Sequence, residues 1–201
     1  MKLYQIHGFG SIGDNSTANW LKKTFPEIEL IHPDHPVNPA HCLSFAMREL
    51  LEHGFMTEGG CLYGTSLGGF YVLMLHWITG LPAILVNPSL QPWKTMKART
   101  GQNINYYTGE PFNWLAEYTT ALQCFGEMLE TVLFRRERLL VIIGSQDDIV
   151  SPEHTMRFFA RQQIPPIVLD KQGHRIDKAT LPVNAIRDFF ERPLDMADGM
   201  E

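Results

Sequence analysis

The sequence is poor in cysteine and has no long apolar run. Its three cysteines, Cys42, Cys61 and Cys124, are odd in number and widely spaced, which argues against a disulfide framework and against a CxxC metal clamp. No apolar run approaches the roughly 20 residues of a membrane span, and the apolar start over residues 1–7 is too short for a signal-peptide core. We therefore expect no membrane partner, and a reducing cytoplasm is the predicted location.

A basic excess is also absent. The chain has 17 Lys and Arg against 22 Asp and Glu, a formal net charge of -5, whereas proteins that hold a nucleic-acid backbone need clustered cations. Nucleic acid is therefore not an expected partner. The length of 201 residues and the hydrophobic fraction of 44% are those of an ordinary globular protein, so we predict one compact domain over residues 1–201 with a buried core.

Short apolar runs alternate with longer helical patterns along the chain, which is typical of βαβ units and a mostly parallel sheet. The six predicted strands are residues 3–7, 28–31, 61–63, 83–86, 139–143 and 167–169. The predicted helices are residues 17–25, 40–53, 67–79, 152–163 and 181–191. The fold class is therefore α/β, with helices packed on a sheet of about six strands.

An insertion over residues 91–138 breaks this rhythm between the fourth and fifth strands. Its second half, residues 114–135, is a predicted helix, and its first half is a polar excursion punctuated by glycine. Excursions of this kind beside the carboxyl edge of a sheet often cover an active site. The insertion is therefore a candidate lid, although the sequence does not say whether it moves.

The pentapeptide Gly64-Thr65-Ser66-Leu67-Gly68 has the G-x-S-x-G pattern and lies between a predicted strand and a predicted helix. A turn this sharp holds Ser66 in an unfavourable backbone conformation and needs glycine two positions on either side. The following helix aims its free N–H groups at the same point, so the Leu67 N–H is a candidate oxyanion donor. The alternative is an ordinary strand-to-helix turn that uses Gly and Ser.

A serine hydroxyl needs an imidazole to accept its proton and a carboxylate to orient that imidazole. Asp147 follows the predicted strand 139–143, and His174 follows the next strand, so each lies in a loop at a carboxyl end. The chain order Ser, Asp, His is that of α/β hydrolases. The G-x-x-D-x-x-V spacing favours Asp147, and three other carboxylates remain as alternatives: Asp148, Asp170 and Asp177.

The segment His7-Gly8-Phe9-Gly10-Ser11 follows the first strand, where a hydrolase takes its second oxyanion N–H from an HG loop. The Phe9 N–H is the candidate donor. Residues 8–13 also form a G-x-G-x-x-G pattern with Asp34 about twenty residues on, as in dinucleotide-binding folds. Such a helix should begin inside the glycine motif, whereas residues 14–17 are typical of a turn and cap.

Three histidines, His32, His35 and His41, lie in or beside a proline-rich segment. They could suggest a metal site, but the prolines favour an irregular loop, and no acidic or cysteine ligand stands at a usual spacing. No metal and no cofactor is therefore expected.

The motifs together resemble the YqiA-type esterase family of small bacterial α/β hydrolases. The resemblance rests on residues 7–9, residues 66–71, the segment Val86-Asn87-Pro88 and, most specifically, residues 101–103 and 107–109 of the insertion. Three positions, Gln91, Tyr106 and Ile176, depart from the family pattern at places that bear on substrate recognition more than on the triad.

The resemblance implies a three-layer α/β-hydrolase fold and a cofactor-free serine esterase for short-chain or activated acyl esters. It carries the triad over to Ser66, Asp147 and His174. Thioesterase and acyltransferase reactions use the same acyl-enzyme, so they remain alternatives, as does a non-catalytic binding module on a hydrolase scaffold. The natural substrate and the oligomeric state stay open.

Overall fold

The chain forms eight strands and eight α-helices within residues 1–192, the part that the computed structural model describes. The strands are β1 (Lys2–Ile6), β2 (Glu29–Ile31), β3 (Cys61–Thr65), β4 (Ala83–Val86), β5 (Gly101–Ile104), β6 (Pro111–Trp114), β7 (Leu139–Gly144) and β8 (Ile167–Leu169). The helices are α1 (Ser16–Thr24), α2 (Pro39–Glu52), α3 (Phe55–Glu58), α4 (Leu67–Thr79), α5 (Pro92–Met96), α6 (Ala116–Leu129), α7 (Pro152–Arg161) and α8 (Val183–Phe190). The predicted domain extends to residue 201, so residues 193–201 of that prediction lie outside the described part.

Six of the strands form one parallel sheet in the order β2-β1-β3-β4-β7-β8. All five pairs are parallel, for example with Leu3 opposite Cys61 and Ala83 opposite Leu139. These are the six strands that the sequence predicts. The strand order reverses between β1 and β3. The crevice at the carboxyl ends of these two strands is therefore a place where α/β sheets commonly bind ligands.

Alternate residues of the strands enter two separate cores, one on each face of the sheet. Leu3, Tyr63 and Ile84 pack with buried residues of α1 and α8. Tyr4 and Leu62 face the other side, where they pack with buried residues of α2, α4 and α7. Helices thus cover both faces, as a parallel sheet requires, and the predicted three-layer architecture is confirmed.

Side-chain caps set the starts of three predicted helices. Asn15 accepts hydrogen bonds from two N–H groups at the start of α1, Asn38 does so for α2, and Ser151 accepts from the His154 N–H in α7. Each cap satisfies donors that a helix leaves free at its first turn. None of the helices within residues 1–192 is long and apolar enough to cross a bilayer.

The insertion contains more regular structure than the sequence predicts. Its second half forms α6, a shorter helix than the predicted 114–135, but its first half contains α5 and the antiparallel hairpin β5–β6. The sequence predicts a polar, glycine-punctuated excursion here and gives no strands, whereas residues 101–104 and 111–114 form this hairpin. These strands are rich in glycine, asparagine and proline, which have low strand propensity, so periodicity alone does not reveal them.

Burial of His76 makes the stability of the fold sensitive to acid. Its side chain is 2% exposed, and its Nδ1–H donates to the Leu81 carbonyl oxygen at 2.7 Å. Burial lowers the pKa of His76 to about 4, whereas an imidazole in the unfolded chain has a pKa of about 6.5. Between these values the unfolded state binds more protons, so the free energy of unfolding falls as the pH falls.

We expect the melting temperature to fall from pH 6.5 towards pH 4, and the His76→Gln variant to show a shallower fall. Each pH unit in this range removes up to about 1.4 kcal/mol per buried histidine, and glutamine keeps a donor for Leu81 without titrating. Differential scanning fluorimetry across the pH range measures the effect, with His41→Gln as the control because His41 is exposed. An identical acid slope in wild type and His76→Gln would contradict the assignment.

Candidate active site

Ser66 lies at the turn between β3 and α4, with φ 57° and ψ -122°. This is a strained conformation for a residue with a side chain, of the kind that costs about 1–3 kcal/mol and persists where surrounding contacts enforce it. The Ser66 N–H donates to the Val86 carbonyl at 3.1 Å, and the Ser66 carbonyl accepts from the Ser89 N–H at 3.0 Å. The neighbouring strand β4 thus holds the turn from the side.

The two glycines of the elbow are needed for space rather than for flexibility. A Cβ atom at Gly64 would overlap the Gly68 backbone, and one at Gly68 would overlap the carbonyl of Ile6 at the end of β1. Side chains at these positions would therefore separate α4 from the sheet. This is the steric reason for glycine that the pentapeptide pattern predicts.

His174 lies in the loop after β8 and reaches across the edge of the sheet to Ser66. Its Nε2 atom lies 3.0 Å from the Ser66 Oγ atom, a hydrogen-bond distance at which the hydroxyl donates to a neutral imidazole. The His174 side chain is 19% exposed, so the site remains open to a small substrate. This contact joins the turn at Ser66 to the loop after β8, which lies far away in the sequence.

Asp147, in the loop after β7, completes the chain of hydrogen bonds. The His174 Nδ1–H donates to its carboxylate, with distances of 2.8 Å to Oδ2 and 3.0 Å to Oδ1. The Ile149 and Val150 N–H groups also donate to Oδ1, both at 2.8 Å. The Asp147 side chain is only 2% exposed, so its orientation is fixed by all three donors.

The three other candidate carboxylates do not contact the imidazole. Asp148 is exposed, and Asp170 is an exposed residue whose Oδ1 lies 3.5 Å from the Ser145 Oγ atom. Asp177 accepts from the Ala179 N–H at 3.0 Å and so caps a short 3-10 turn. Among the alternatives left open by the sequence, the structure brings only Asp147 to His174 within residues 1–192.

Asn87, directly after β4, ties the two loops together, and reasoning from the sequence missed this role. Its Nδ2 donates to the carbonyls of Gly173 and His174 at 3.1 and 2.9 Å, and its Oδ1 accepts from the Gly144 N–H at 2.8 Å. The side chain is 2% exposed, and its φ of 44° suits asparagine better than most residues. The Val86-Asn87-Pro88 segment is the signal that could have indicated it.

The loop after β1 lies beside Ser66. A Cβ atom added at Gly8 would lie 3.6 Å from the Ser66 Cβ atom, which is van der Waals contact distance, so the loop passes directly beside Ser66. No protein acceptor is found for the N–H of Phe9 or of Leu67 among residues 1–192. Both predicted oxyanion donors are therefore free to meet a ligand.

The neutral side chains of His7 and His35 support this loop through hydrogen bonds. The His7 Nδ1–H donates to the Gly8 carbonyl at 2.9 Å, and its Nε2 accepts from the His35 N–H at 3.2 Å. The His35 Nε2 atom lies 3.0 Å from the Tyr4 hydroxyl. Burial lowers the pKa of His7 and lowers that of His35 to about 3, so both imidazoles are neutral at pH 7.

The glycine pattern over residues 8–13 does not form a dinucleotide site. Helix α1 begins at Ser16, after the pattern has ended, and the Gly13 N–H donates to Asp34 Oδ1 at 2.6 Å. The carboxylate that a nucleotide ribose would need is therefore bound to the loop itself.

A pocket of about 240 Å³ opens beside the free N–H groups. Its apolar lining comes from Phe9, Leu67, Tyr71, Phe112 and Trp114. A larger groove of about 900 Å³ lies elsewhere on the surface, and none of the predicted site residues lines it. The smaller pocket contacts Phe9 and Leu67, the two predicted oxyanion donors, while Ser66 and His174 lie outside its lining.

A sequence model described as "Uncharacterised protein family (UPF0227)" matches residues 1–191. A UPF0227 protein of Shewanella sp. strain MR-7 is 23% identical over 192 residues, which cover 93% of this chain and 98% of that protein. One from Yersinia enterocolitica is 24% identical over 197 residues, covering 92% and 96%. These matches confirm the family resemblance that the motifs predict.

Solved structures share the fold at low identity. Est1E from Butyrivibrio proteoclasticus, solved with ferulic acid, superposes with a TM-score of 0.72 at 14% identity, over 94% of this chain and 87% of that one. A monoacylglycerol lipase from Paleococcus ferrophilus gives 0.68 at 13% identity, over 94% and 93%. An alpha/beta superfamily hydrolase from Oenococcus oeni gives 0.66 at 16%, over 95% and 93%. The predicted α/β-hydrolase fold is therefore confirmed.

Proposed function

Because the chain belongs to the UPF0227 family and has an α/β-hydrolase fold, we propose that it is a serine esterase acting on small carboxylic esters. Ser66 is the nucleophile, His174 the general base and Asp147 the carboxylate that orients the base. The backbone N–H groups of Phe9 and Leu67 hold the oxyanion. No cofactor takes part in this chemistry.

One observation carries the proposal: the unbroken chain of hydrogen bonds from Ser66 Oγ through His174 to Asp147, with distances of 3.0 and 2.8 Å. These side chains come from three different loops at the carboxyl edge of the sheet. A structural role alone would not need a strained serine, an imidazole and a buried carboxylate in this order. The same order supports nucleophilic attack on a carbonyl.

In the first half of the reaction, Ser66 Oγ forms a bond to the ester carbonyl carbon while its proton passes to His174 Nε2. The carbonyl oxygen becomes an oxyanion and accepts hydrogen bonds from the Phe9 and Leu67 N–H groups. The tetrahedral intermediate then breaks its bond to the alcohol oxygen, which takes the proton from His174. The alcohol leaves and the acyl group stays on Ser66.

In the second half, His174 removes a proton from water, and the resulting hydroxide attacks the acyl carbon. The second intermediate breaks its bond to Ser66 Oγ, and His174 returns the proton to the serine. Asp147 stabilises the imidazolium in both halves without becoming protonated. The products are a carboxylic acid and an alcohol.

The pocket supports a small substrate. Its volume of about 240 Å³ lies below the range of roughly 300–1,000 Å³ that is common for drug-sized ligands. Its apolar side chains suit an acyl chain, and the carboxylates of Asp34 and Glu110 in the same lining disfavour an anionic group. Solved structures with the same fold include Est1E with ferulic acid bound and a monoacylglycerol lipase, which is compatible with ester chemistry on this fold.

Other reactions share the same intermediate. An acyl thioesterase differs in its leaving group, and an acyltransferase uses an alcohol or amine in place of water. A binding module on this scaffold would carry no covalent intermediate at all.

The three cysteines, Cys42, Cys61 and Cys124, are free thiols, which agrees with a reducing compartment such as the cytoplasm.

A fluorophosphonate probe tests the nucleophile directly. We expect wild-type protein to be labelled and Ser66→Ala to remain unlabelled, because the probe reacts only with a serine activated by a neighbouring base. Mass spectrometry of the digested protein identifies the modified peptide. Label on another residue, or equal labelling of both proteins, would disprove the assignment, whereas an unlabelled wild type would favour the binding module.

A further inference from the structure

We propose that the tip of the β5–β6 hairpin, residues 105–110, is a fixed brace for the oxyanion loop, residues 8–13, and that Asn105 is a positioning residue of the oxyanion hole. This inference rests on the proposed function, because it concerns the site that stabilises the tetrahedral intermediate. It gives a role to the insertion segment that is the most specific part of the family resemblance.

Two hydrogen bonds join the hairpin tip to the oxyanion loop. The Tyr106 N–H donates to the Gly10 carbonyl at 2.7 Å, and the Asn105 Nδ2 donates to the Ser11 carbonyl at 3.1 Å. Both acceptors belong to the peptide units that follow Phe9. The position of the Phe9 peptide, whose N–H is the second oxyanion donor, is therefore coupled to the hairpin.

The hairpin tip orients the Asn105 side chain before it meets the loop. Its Oδ1 accepts from the N–H groups of Tyr107 and Thr108 at 2.9 and 3.2 Å, and the Asn105 N–H donates to the Glu110 carbonyl at 2.9 Å. The oxygen of the amide is thus used within the turn, as in an Asx turn. Its NH₂ group is left to hold Ser11.

The hairpin tip makes further contacts at Gly10 in the oxyanion loop and at Ser16, the first residue of α1. Gly10 has a φ of 63°, and a Cβ atom there would lie 2.9 Å from the Tyr106 ring. At the far end, the Tyr107 hydroxyl accepts from the Ser16 N–H at 3.1 Å and donates to Ser16 Oγ at 3.2 Å. The hairpin tip thereby spans the loop from Gly10 to the start of α1.

The aromatic side chain of Phe9 packs against the same hairpin. Its ring meets the rings of Phe112 and Trp114 edge to face, with centroids 5.3 and 5.5 Å apart, a geometry that aromatic pairs favour. Opening the hairpin as a lid would break these contacts and both hydrogen bonds at once. The insertion therefore serves as a wall and brace in the catalytic state, not as a lid that swings away during turnover.

The brace matters because an oxyanion donor works only when it is held in place before charge develops. Loss of a whole donor slows acyl transfer by about 100- to 1,000-fold. Loosening one donor without removing it should therefore cost a part of that, about tenfold to a hundredfold. Substrate binding in the ground state should change little, since the donor acts mainly on the tetrahedral intermediate.

Asn103 provides a matched control in the same hairpin. Its Nδ2 donates to the carbonyls of Arg99 and Gly101 at 2.7 and 3.0 Å, so its side-chain bonds stay within the insertion and do not reach the oxyanion loop. Asn103→Ala removes two hydrogen bonds from the hairpin, whereas Asn105→Asp removes the donor to Ser11 and keeps the acceptor that forms the turn. Asn105→Ala removes both the donor and the acceptor. Asn105→Asp therefore tests the brace even if Asn105→Ala folds poorly.

The experiment measures kcat and KM for a p-nitrophenyl ester, the melting temperature, and inhibition by a trifluoromethyl ketone, which forms a tetrahedral adduct with an oxyanion. For Asn105→Ala and Asn105→Asp we expect kcat to fall about tenfold to a hundredfold with KM within about twofold, and the inhibition constant to rise in parallel. Asn103→Ala should keep both values near those of wild type at a similar melting temperature.

The outcomes separate this inference from the proposed function. Wild-type protein without hydrolysis or labelling would overturn the proposed function, and the brace with it. An active wild type in which Asn105→Asp behaves like Asn103→Ala would overturn the brace alone. A loss confined to KM or to melting temperature, with unchanged affinity for the ketone, would also overturn it, because a merely structural role predicts that result.

Discussion

The Ser66→Ala variant is expected to lose about a million-fold in kcat for ester hydrolysis, as a comparable triad does. Alanine leaves no atom to bond to the carbonyl carbon, and His174 and Asp147 then have no hydroxyl to activate. The side chain removed is small and partly exposed, so the melting temperature should change little. Initial rates with a p-nitrophenyl ester measure the loss. Active-site titration counts the wild-type enzyme, both in the reference sample and as a contaminant of the variant.

A second variant shows whether the serine and the imidazole act as one unit. Ser66→Ala combined with His174→Ala should be no slower than Ser66→Ala alone, because a base without a nucleophile has nothing left to do. Losses that multiply instead would mean that the two side chains serve separate steps. A Ser66→Ala protein that keeps a tenth of wild-type activity, with contamination excluded by titration, would refute the nucleophile.

The sheet and the proximity of the three candidate site residues could be predicted because their signals are local. Each strand is a short apolar run such as residues 83–86. Ser66 stands in the elbow pentapeptide, and Asp147 and His174 each stand in the loop after a strand. Parallel strands bring their carboxyl ends to one edge, so the residues after them must come near one another. Chain order and topology therefore predict proximity without any knowledge of packing.

The supporting residues could not be predicted, because their partners are backbone groups far away in the sequence. Asn87 holds carbonyls of residues 173 and 174, and Asn105 holds the carbonyl of residue 11. A carbonyl oxygen is present at every residue, so the sequence around the acceptor carries no mark of the contact. Only the family motif pointed to either segment, and it gave neither of them a role.

The choice between neighbouring carboxylates leads to the second large effect, a loss of about 10,000-fold in kcat for Asp147→Asn. The amide oxygen of asparagine would take the place of Oδ1, where the Ile149 and Val150 N–H groups donate at 2.8 Å. Its NH₂ group would then face His174 Nδ1 and donate to it. That imidazole would carry its proton on Nε2, pointing at Ser66, and could no longer accept the hydroxyl proton.

Asp148→Asn is the matched control, since it makes the same chemical change one residue away on an exposed side chain. We expect its kcat to stay within about threefold of wild type. Both variants should melt near the wild-type temperature, because the amide oxygen introduced by Asp147→Asn would retain the two backbone hydrogen bonds that anchor the loop. Equal losses in the two variants would mean that the negative charge of the loop matters rather than the tautomer of His174. A loss confined to Asp147→Asn would mean that the Asp147 carboxylate itself must accept from the His174 Nδ1–H. That hydrogen bond selects the tautomer in which Nε2 carries no proton, and this tautomer lets His174 serve as a base.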